Sequence, residues 1–150
     1  MGCLLHFIGR DADVDQLVKL SPVEPCTIFK RGERRSTRPN SRPSVTSGIN
    51  LEVSEADFEQ FDEQLADAIR FLRLHLPVLK QLRNITGVES ASLDFGIAMR
   101  NVIAQSDSFP AELLALLGQF DCGLNLSQFP VGKKSRNLRR YRKVFRRAAF

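Results

Sequence analysis

Short apolar runs and one strictly alternating segment predict the β-strands of this protein. Residues 3–8 form an almost continuous apolar run that Gly9 closes, a pattern typical of a buried strand. In residues 49–53 apolar and polar positions alternate, which predicts a strand with one buried and one polar face. Similar patterns predict three further strands, at residues 27–29, 92–97 and 124–129.

Apolar positions three and four residues apart predict the helices. Asp13 is a good N-cap for a short first helix, with Gln16 placed as in a capping box. The longest helix is predicted to start at Ser54 and to reach Pro77, which either kinks it or opens a second helix that ends at Gly87. Its apolar stripe consists of Phe58, Phe61, Leu65, Ile69, Leu72 and Leu76.

A last helix precedes the final strand, with Ser108 or Asp107 as its cap and Pro110 near its first turn. The predicted order is therefore β-α-β-β-α-(α)-β-α-β. Strands joined directly and flanked by helices favour an α+β fold, with an antiparallel or mixed sheet covered by helices on one face. We predict a ferredoxin-like arrangement and one domain over residues 1–131.

Charge is distributed unevenly along the chain. The basic loop (residues 30–47) has six cations, one acid and two prolines, and we expect it to be long and exposed. The basic tail (residues 132–150) has nine of the 22 cations and no acid, so residues 1–132 carry 13 cations and 17 acids, a net charge of about −4. Leu138, Tyr141, Phe145 and Ala148 have helical spacing, which is compatible with a basic amphipathic helix that needs a partner or the protein's own body to become ordered.

These cations are the candidate site for an anion or a partner. Arginine and lysine interleaved with aromatic rings suit nucleic-acid phosphates and bases, but they also suit an acidic protein, an anionic membrane surface or a solvated tail. The candidate residues are Arg31, Arg34, Arg35, Lys133, Lys134, Arg136, Arg139, Arg140, Tyr141, Arg142, Lys143, Arg146 and Arg147.

Several short motifs occur in an order that resembles a known family. In chain order they are Gly9, Asp11 and Asp13, Leu17 and Leu20, Pro25 with residues 29–33, residues 47–52, the long helix, and residues 109–114 before the last strand. Over residues 4–130 the chain resembles the bacterial family called domain of unknown function 4279. Relatives often have a tryptophan in the strand after the Ser-Gly pair, where this chain has Ile49 and no tryptophan at all. The resemblance implies binding, in an immunity-like role, and brings no catalytic residues with it.

No catalytic or metal-binding signature is found in the sequence. Asp11, Asp13 and Asp15 alternate as at the start of a calcium loop, but Gln16 replaces the required glycine and Pro22 stands where the bidentate glutamate belongs. Glycine-rich phosphate loops and nucleophile elbows are also missing. We therefore expect no cofactor and no enzyme activity, although a site assembled only in space escapes sequence reasoning.

Two functional hypotheses follow. The first is a non-enzymatic binding protein that recognises a protein partner through the sheet or the basic loop. In this hypothesis the protein also self-associates, or its basic tail contacts a neighbouring subunit. The alternative is a nucleic-acid-associated protein anchored by the basic tail. An odd number of cysteines at unrelated spacings fits reduced thiols, and we expect a cytoplasmic protein without a membrane span.

Overall fold

The computed structural model describes residues 2–130, and these confirm the predicted α+β class with five strands and three helices. The basic tail lies outside the described residues. In chain order the elements are β1 (Cys3–Gly9), α1 (Val14–Leu20), β2 (Thr27–Phe29), β3 (Ser47–Ser54), α2 (Phe61–Arg83), β4 (Ser90–Met99), α3 (Ala111–Gly118) and β5 (Cys122–Pro130). No helix in this part of the chain is long and apolar enough to cross a membrane.

The strands form one mixed sheet in the order β2-β3-β1-β4-β5. β1 is central and antiparallel to both of its neighbours, β3 and β4, and β2 is antiparallel to β3. β4 and β5 are parallel, as expected for strands joined by a crossover that contains a helix, here α3. The ferredoxin-like arrangement is not confirmed.

The three helices pack on one face of the sheet and form the main core with it. Alternate residues of the central strands point to this face and are fully or almost fully buried, since side chains in a strand alternate between its two sides. Each buried leucine or phenylalanine contributes roughly 1.5–3 kcal/mol of transfer free energy. The strand residues of this core are Cys3, Leu5, Phe7, Ile49, Leu51, Val53, Ala91, Leu93, Phe95 and Ile97.

The cap of the first helix follows the prediction, but its buried face is narrower than the apolar spacing of Val14, Leu17, Val18 and Leu20 predicts. Asp13 caps α1, because its carboxylate accepts a hydrogen bond of 3.1 Å from the backbone N–H of Gln16. Val14 and Leu17 are the buried residues of α1, whereas Val18 and Leu20 are exposed.

The predicted start of the longest helix is wrong. Ser54 ends β3, and its hydroxyl donates to Asp67 of α2 at 2.6 Å, so α2 begins only at Phe61. The residues between form a turn in which the Gln60 N–H donates to the Asp57 carbonyl at 2.9 Å. Phe58, which was predicted to open the apolar stripe of the helix, is carried by this turn to the other face of the sheet.

Two further helix predictions are corrected. Pro77 lies inside α2, which continues to Arg83, so the alternative of a separate second helix is wrong. Pro110 is the N-cap residue of α3, and no side chain caps that helix. The Asp107 carboxylate instead accepts hydrogen bonds from Arg100 and Gln105, at 2.8 and 2.9 Å.

The basic loop is exposed, as predicted, but its backbone has a defined path. The Gly32 N–H donates to the Ser44 carbonyl and the Ser44 N–H donates to the Glu33 carbonyl, both at 2.8 Å. An isolated antiparallel bridge joins Arg34 to Pro43. These contacts fold the two arms of the loop against each other before Ser47 enters β3.

Candidate functional site

The face of the sheet turned away from the helices, here called the second face, has a polar centre. Its side chains come from the alternate positions of the same strands, and the register places them side by side. His6 lies opposite Asn50, and Leu4 lies between Glu52 and Asp94. His6 and Asn50 therefore occupy the middle of this face, and Glu52 and Asp94 flank Leu4 toward one end.

His6 and Asn50 form a buried pair at this centre. The His6 Nδ1 and Asn50 Oδ1 atoms are 2.8 Å apart. Since the amide oxygen only accepts, Nδ1 carries the proton in this arrangement and Nε2 is left as an acceptor. Burial lowers the pKa of His6, the hydrogen bond to Asn50 opposes that shift, and the charge of Arg35 adds to the lowering. The ring is therefore neutral at pH 7.

Two polar atoms of this pair are unsatisfied. His6 Nε2 and Asn50 Nδ2 have no hydrogen-bond partner within the part of the chain that the structure describes. A buried polar atom without a partner costs about 1–3 kcal/mol. Such atoms mark this face as a place where a further group is expected.

Asp94 is the buried carboxylate of the second face. Burial raises the pKa of Asp94 to about 6, and the Ser127 hydroxyl opposes this shift by donating to the carboxylate. The Ser127 Oγ atom lies 2.9 Å from each carboxylate oxygen. The side chain therefore changes charge near neutral pH.

One end of the second face is apolar. Leu4, Phe58 and Ala98 form a small buried cluster against which Cys26 and Phe129 pack. The rings of Phe58 and Phe129 are stacked with their centroids 4.8 Å apart. This cluster lies at the end of the sheet that also carries Glu52 and Asp94.

The other end of the second face is positively charged. The Arg35 guanidinium lies over the Phe29 ring, 3.9 Å from its centroid. Phe29 pairs with Gly48, and Gly48 pairs with Ile8, so this contact stands at the opposite end of β1 from Leu4. Burial lowers the pKa of the Arg35 guanidinium.

A separate groove of about 560 Å³ lies beside the basic loop. Arg10, Arg31 and Arg42 line it together with Pro43 and Val45. Val45 is 76% exposed, which is unusual for a valine, so the groove combines three arginine side chains with an exposed apolar one.

Arg31 also borders a neighbouring groove with a mixed charge. It forms an ion pair of 2.9 Å with Asp11, and Lys30 forms one of 3.2 Å with Asp15. The alternating aspartates thus pair with cations of the basic loop. Residues 2–130 contain no cluster of three or more side chains suited to hold a metal ion.

The structure separates the predicted site residues of the basic loop. Arg31 faces the groove, Arg35 lies on the second face, and Arg34 is exposed at the bridge. The predicted residues from Lys133 to Arg147, Tyr141 included, lie outside the described residues.

Sequence reasoning missed Arg10 and the buried polar groups of the second face. Arg10 is far from Arg42 in the sequence, and only the fold brings both to one groove. The alternation of β1 does place His6 opposite to Leu5 and Phe7, a signal that was available from the sequence. Its pairing with Asn50 required the strand register.

Comparison of the chain with protein-family profiles, with curated proteins and with solved structures gives no match. The resemblance to domain of unknown function 4279 therefore stays a prediction.

Proposed function

We propose that this protein is a non-enzymatic binding protein whose basic loop recognises an acidic protein partner. The observation that supports this proposal is the groove in which Arg10, Arg31 and Arg42 surround the exposed Pro43 and Val45. Guanidinium groups bind carboxylates of a partner, and the exposed apolar side chain accepts an apolar side chain of the partner.

The charges of the groove are available for this task. Within residues 2–130, neither Arg10 nor Arg42 takes part in an ion pair, whereas Arg31 is held in place by Asp11. Exposed cations that lack an internal partner steer an acidic protein toward the groove and select against basic ones.

The backbone of the basic loop also favours binding. Its hydrogen bonds across the loop fix the approach of Arg31 and Arg42 before a partner arrives. A preformed loop loses less conformational entropy on binding than a flexible one.

The test is capture of partners under matched changes of charge. The variant Arg10→Glu/Arg42→Glu reverses two charges of the groove, and Lys19→Glu/Lys80→Glu makes the same change of net charge on exposed helix positions. Each protein is used as bait in a lysate treated with nuclease, and proteins lost only by the groove variant are purified for binding measurements. We expect a purified partner to bind the groove variant at least about tenfold more weakly, since losing two charge-assisted contacts costs 1.4 kcal/mol or more.

Equal loss of binding by both variants would contradict recognition at the groove.

We propose that the interaction with this partner has an immunity-like role in the cytoplasm. Among the described residues, Cys3, Cys26 and Cys122 form no disulfide, which fits a reducing compartment.

The alternative function is association with nucleic acid through the basic tail. The dense positive charge of residues 133–147 favours it. Binding of this kind weakens steeply as salt rises, in proportion to the number of phosphates neutralised. Material that is removed by nuclease and released by salt would support this alternative over the groove.

A further inference from the structure

We propose that the basic tail docks on the second face of the sheet of its own chain, with its cations directed toward Glu52, Glu55 and Asp57. This inference concerns a different surface from the groove and does not depend on the proposed function.

The first observation is the place where the described chain ends. β5 is an edge strand that runs parallel to β4, so it ends beside Met99 and not beside Ala91. Phe129 already lies on the second face, stacked on Phe58. The chain therefore leaves the sheet at the end of the second face that carries the apolar cluster, Glu52 and Asp94.

The second observation is the burial of this face. All three described helices pack on the opposite side of the sheet, yet Leu4 and Asn50 are 0% exposed and His6 is 1% exposed. From outside the sheet, Phe58 reaches one end of this face and Arg35 the other. A further layer of chain across the centre would account for this burial and would offer partners to His6 Nε2 and Asn50 Nδ2.

The third observation is the chemical match. Glu52 lies on the second face, and Glu55 and Asp57 belong to the turn that brings Phe58 to it. As a helix, the basic tail has an apolar stripe that fits the cluster around Leu4, with cations on either side of the stripe. The residues of the stripe are Leu138, Tyr141, Phe145 and Ala148.

The length of the basic tail also fits. Neighbouring strands are about 4.8 Å apart, so a sheet of five strands is about 19 Å wide between its edge strands. A helix over residues 133–147 is about 22 Å long, which is enough to cross the sheet from β5 to β2.

The tail of the same chain is favoured over a second copy. A segment attached directly to β5 has an effective concentration in the millimolar range, far above that of a separate molecule at ordinary protein concentration. Docking in cis is therefore the expected arrangement in a dilute solution.

Tyr141 makes the proposal directly measurable. It is the only tyrosine of the chain, and there is no tryptophan, so tyrosine fluorescence of the full-length protein reports on the basic tail alone. We expect acrylamide to quench this fluorescence several-fold less in the native protein than in urea. Quenching at the unfolded level in native buffer would overturn the proposal.

A matched pair of variants tests the orientation of the tail. Leu138→Ser/Phe145→Ser removes the apolar stripe and should raise quenching of Tyr141 to nearly the unfolded level. Arg136→Ser/Arg147→Ser changes the opposite side of the same helix and should leave quenching low. If the control exposes Tyr141 as much as the stripe variant does, the proposed orientation is wrong.

Crosslinking identifies the surface that the tail covers. A carbodiimide joins Lys133, Lys134 or Lys143 directly to a carboxylate, and we expect links within one chain to Glu52, Glu55 or Asp57. Mixing protein of two isotopic compositions separates links within a chain from links between chains. Three results would each overturn docking in cis. They are links between chains only, links to other carboxylates, and protection of Tyr141 only after nucleic acid is added. None of these readouts depends on the charges of Arg10 and Arg42, so this proposal and the proposed function fail independently.

Discussion

The two faces of the same sheet differ in what covers them. On the face that packs against the helices, Leu5 and Phe7 of β1 meet an apolar core. On the second face, Leu4 and His6 of the same strand lie among polar side chains and a small apolar cluster. Neighbouring residues of one strand thus have different tasks. Both faces bury apolar side chains, but the second also carries buried polar groups whose charge and hydrogen bonding can respond to a partner or to pH.

The largest expected effects are those of two leucine substitutions in β1, one on each face of the sheet. Leu5→Ala should destabilise the protein by about 2–5 kcal/mol, because it leaves a cavity in the main core. Leu4→Ala should cost a similar amount, since Leu4 is equally buried. Unfolding in urea, followed by circular dichroism, measures both.

Substitutions in the basic tail should change the cost of one leucine substitution and not of the other. If the tail covers the second face, Leu138→Ser/Phe145→Ser should reduce the cost of Leu4→Ala and leave the cost of Leu5→Ala unchanged, since coupled sites are not additive. Strict additivity for both leucines would mean that the two faces do not differ in this way.

The sequence predicts the first face much better than the second. Alternation in β3 and helical spacing in α2 depend on local apolar patterns, which report directly on burial. The predicted start of α2 was wrong because the position of Phe58 also fits the helical apolar stripe. Only the tertiary structure places its ring against Phe129. A local sequence pattern does not show against which of two apolar surfaces a side chain packs.

The candidate sites depend on contacts between distant parts of the chain. The basic loop was recognised from its composition, but its division between a groove and the second face was not. His6 meets Asn50 only through the register of β1 and β3, and Arg10 and Arg42 line one groove only because the fold brings their loops together. Neither residue belongs to a motif that spacing alone can reveal.

The next effect concerns the charge of the second face. Asp94 has a pKa of about 6 in the folded protein, raised by burial, against an ordinary value of 3.8. The folded state therefore binds a proton more readily than the unfolded state, so stability falls as the pH rises from 3.8 to about 6, and the loss is complete above that range. We expect Asp94→Asn to stabilise the protein by about 1–2 kcal/mol at pH 7.5, with allowance for partial contact with solvent.

The dependence on pH provides the control for this prediction. The advantage of Asp94→Asn should shrink as the pH falls through about 6 and disappear about one pH unit below the ordinary value of 3.8, where the natural carboxylate is protonated in both states. His6 acts in the opposite direction, because its lowered pKa costs stability as the pH falls below its ordinary value of 6.5. Comparing the variant with the natural chain at each pH cancels the contribution of His6. An advantage that does not change with pH would show that Asp94 is not the titrating group.

The smallest expected effect tests the positive end of the second face. Arg35→Met keeps the aliphatic packing but removes the charge over Phe29, and we expect a loss of about 0.5–1 kcal/mol in the free energy of unfolding. Arg34→Met is the matched control, because Arg34 is exposed and its change should stay within about 0.5 kcal/mol. Combining Arg35→Met with Phe29→Leu in a double-mutant cycle isolates the contact between cation and ring. A coupling energy near zero would mean that other contacts hold Arg35 on the second face. The path of the basic loop, rather than the Phe29 ring, would then determine the positive end of this face.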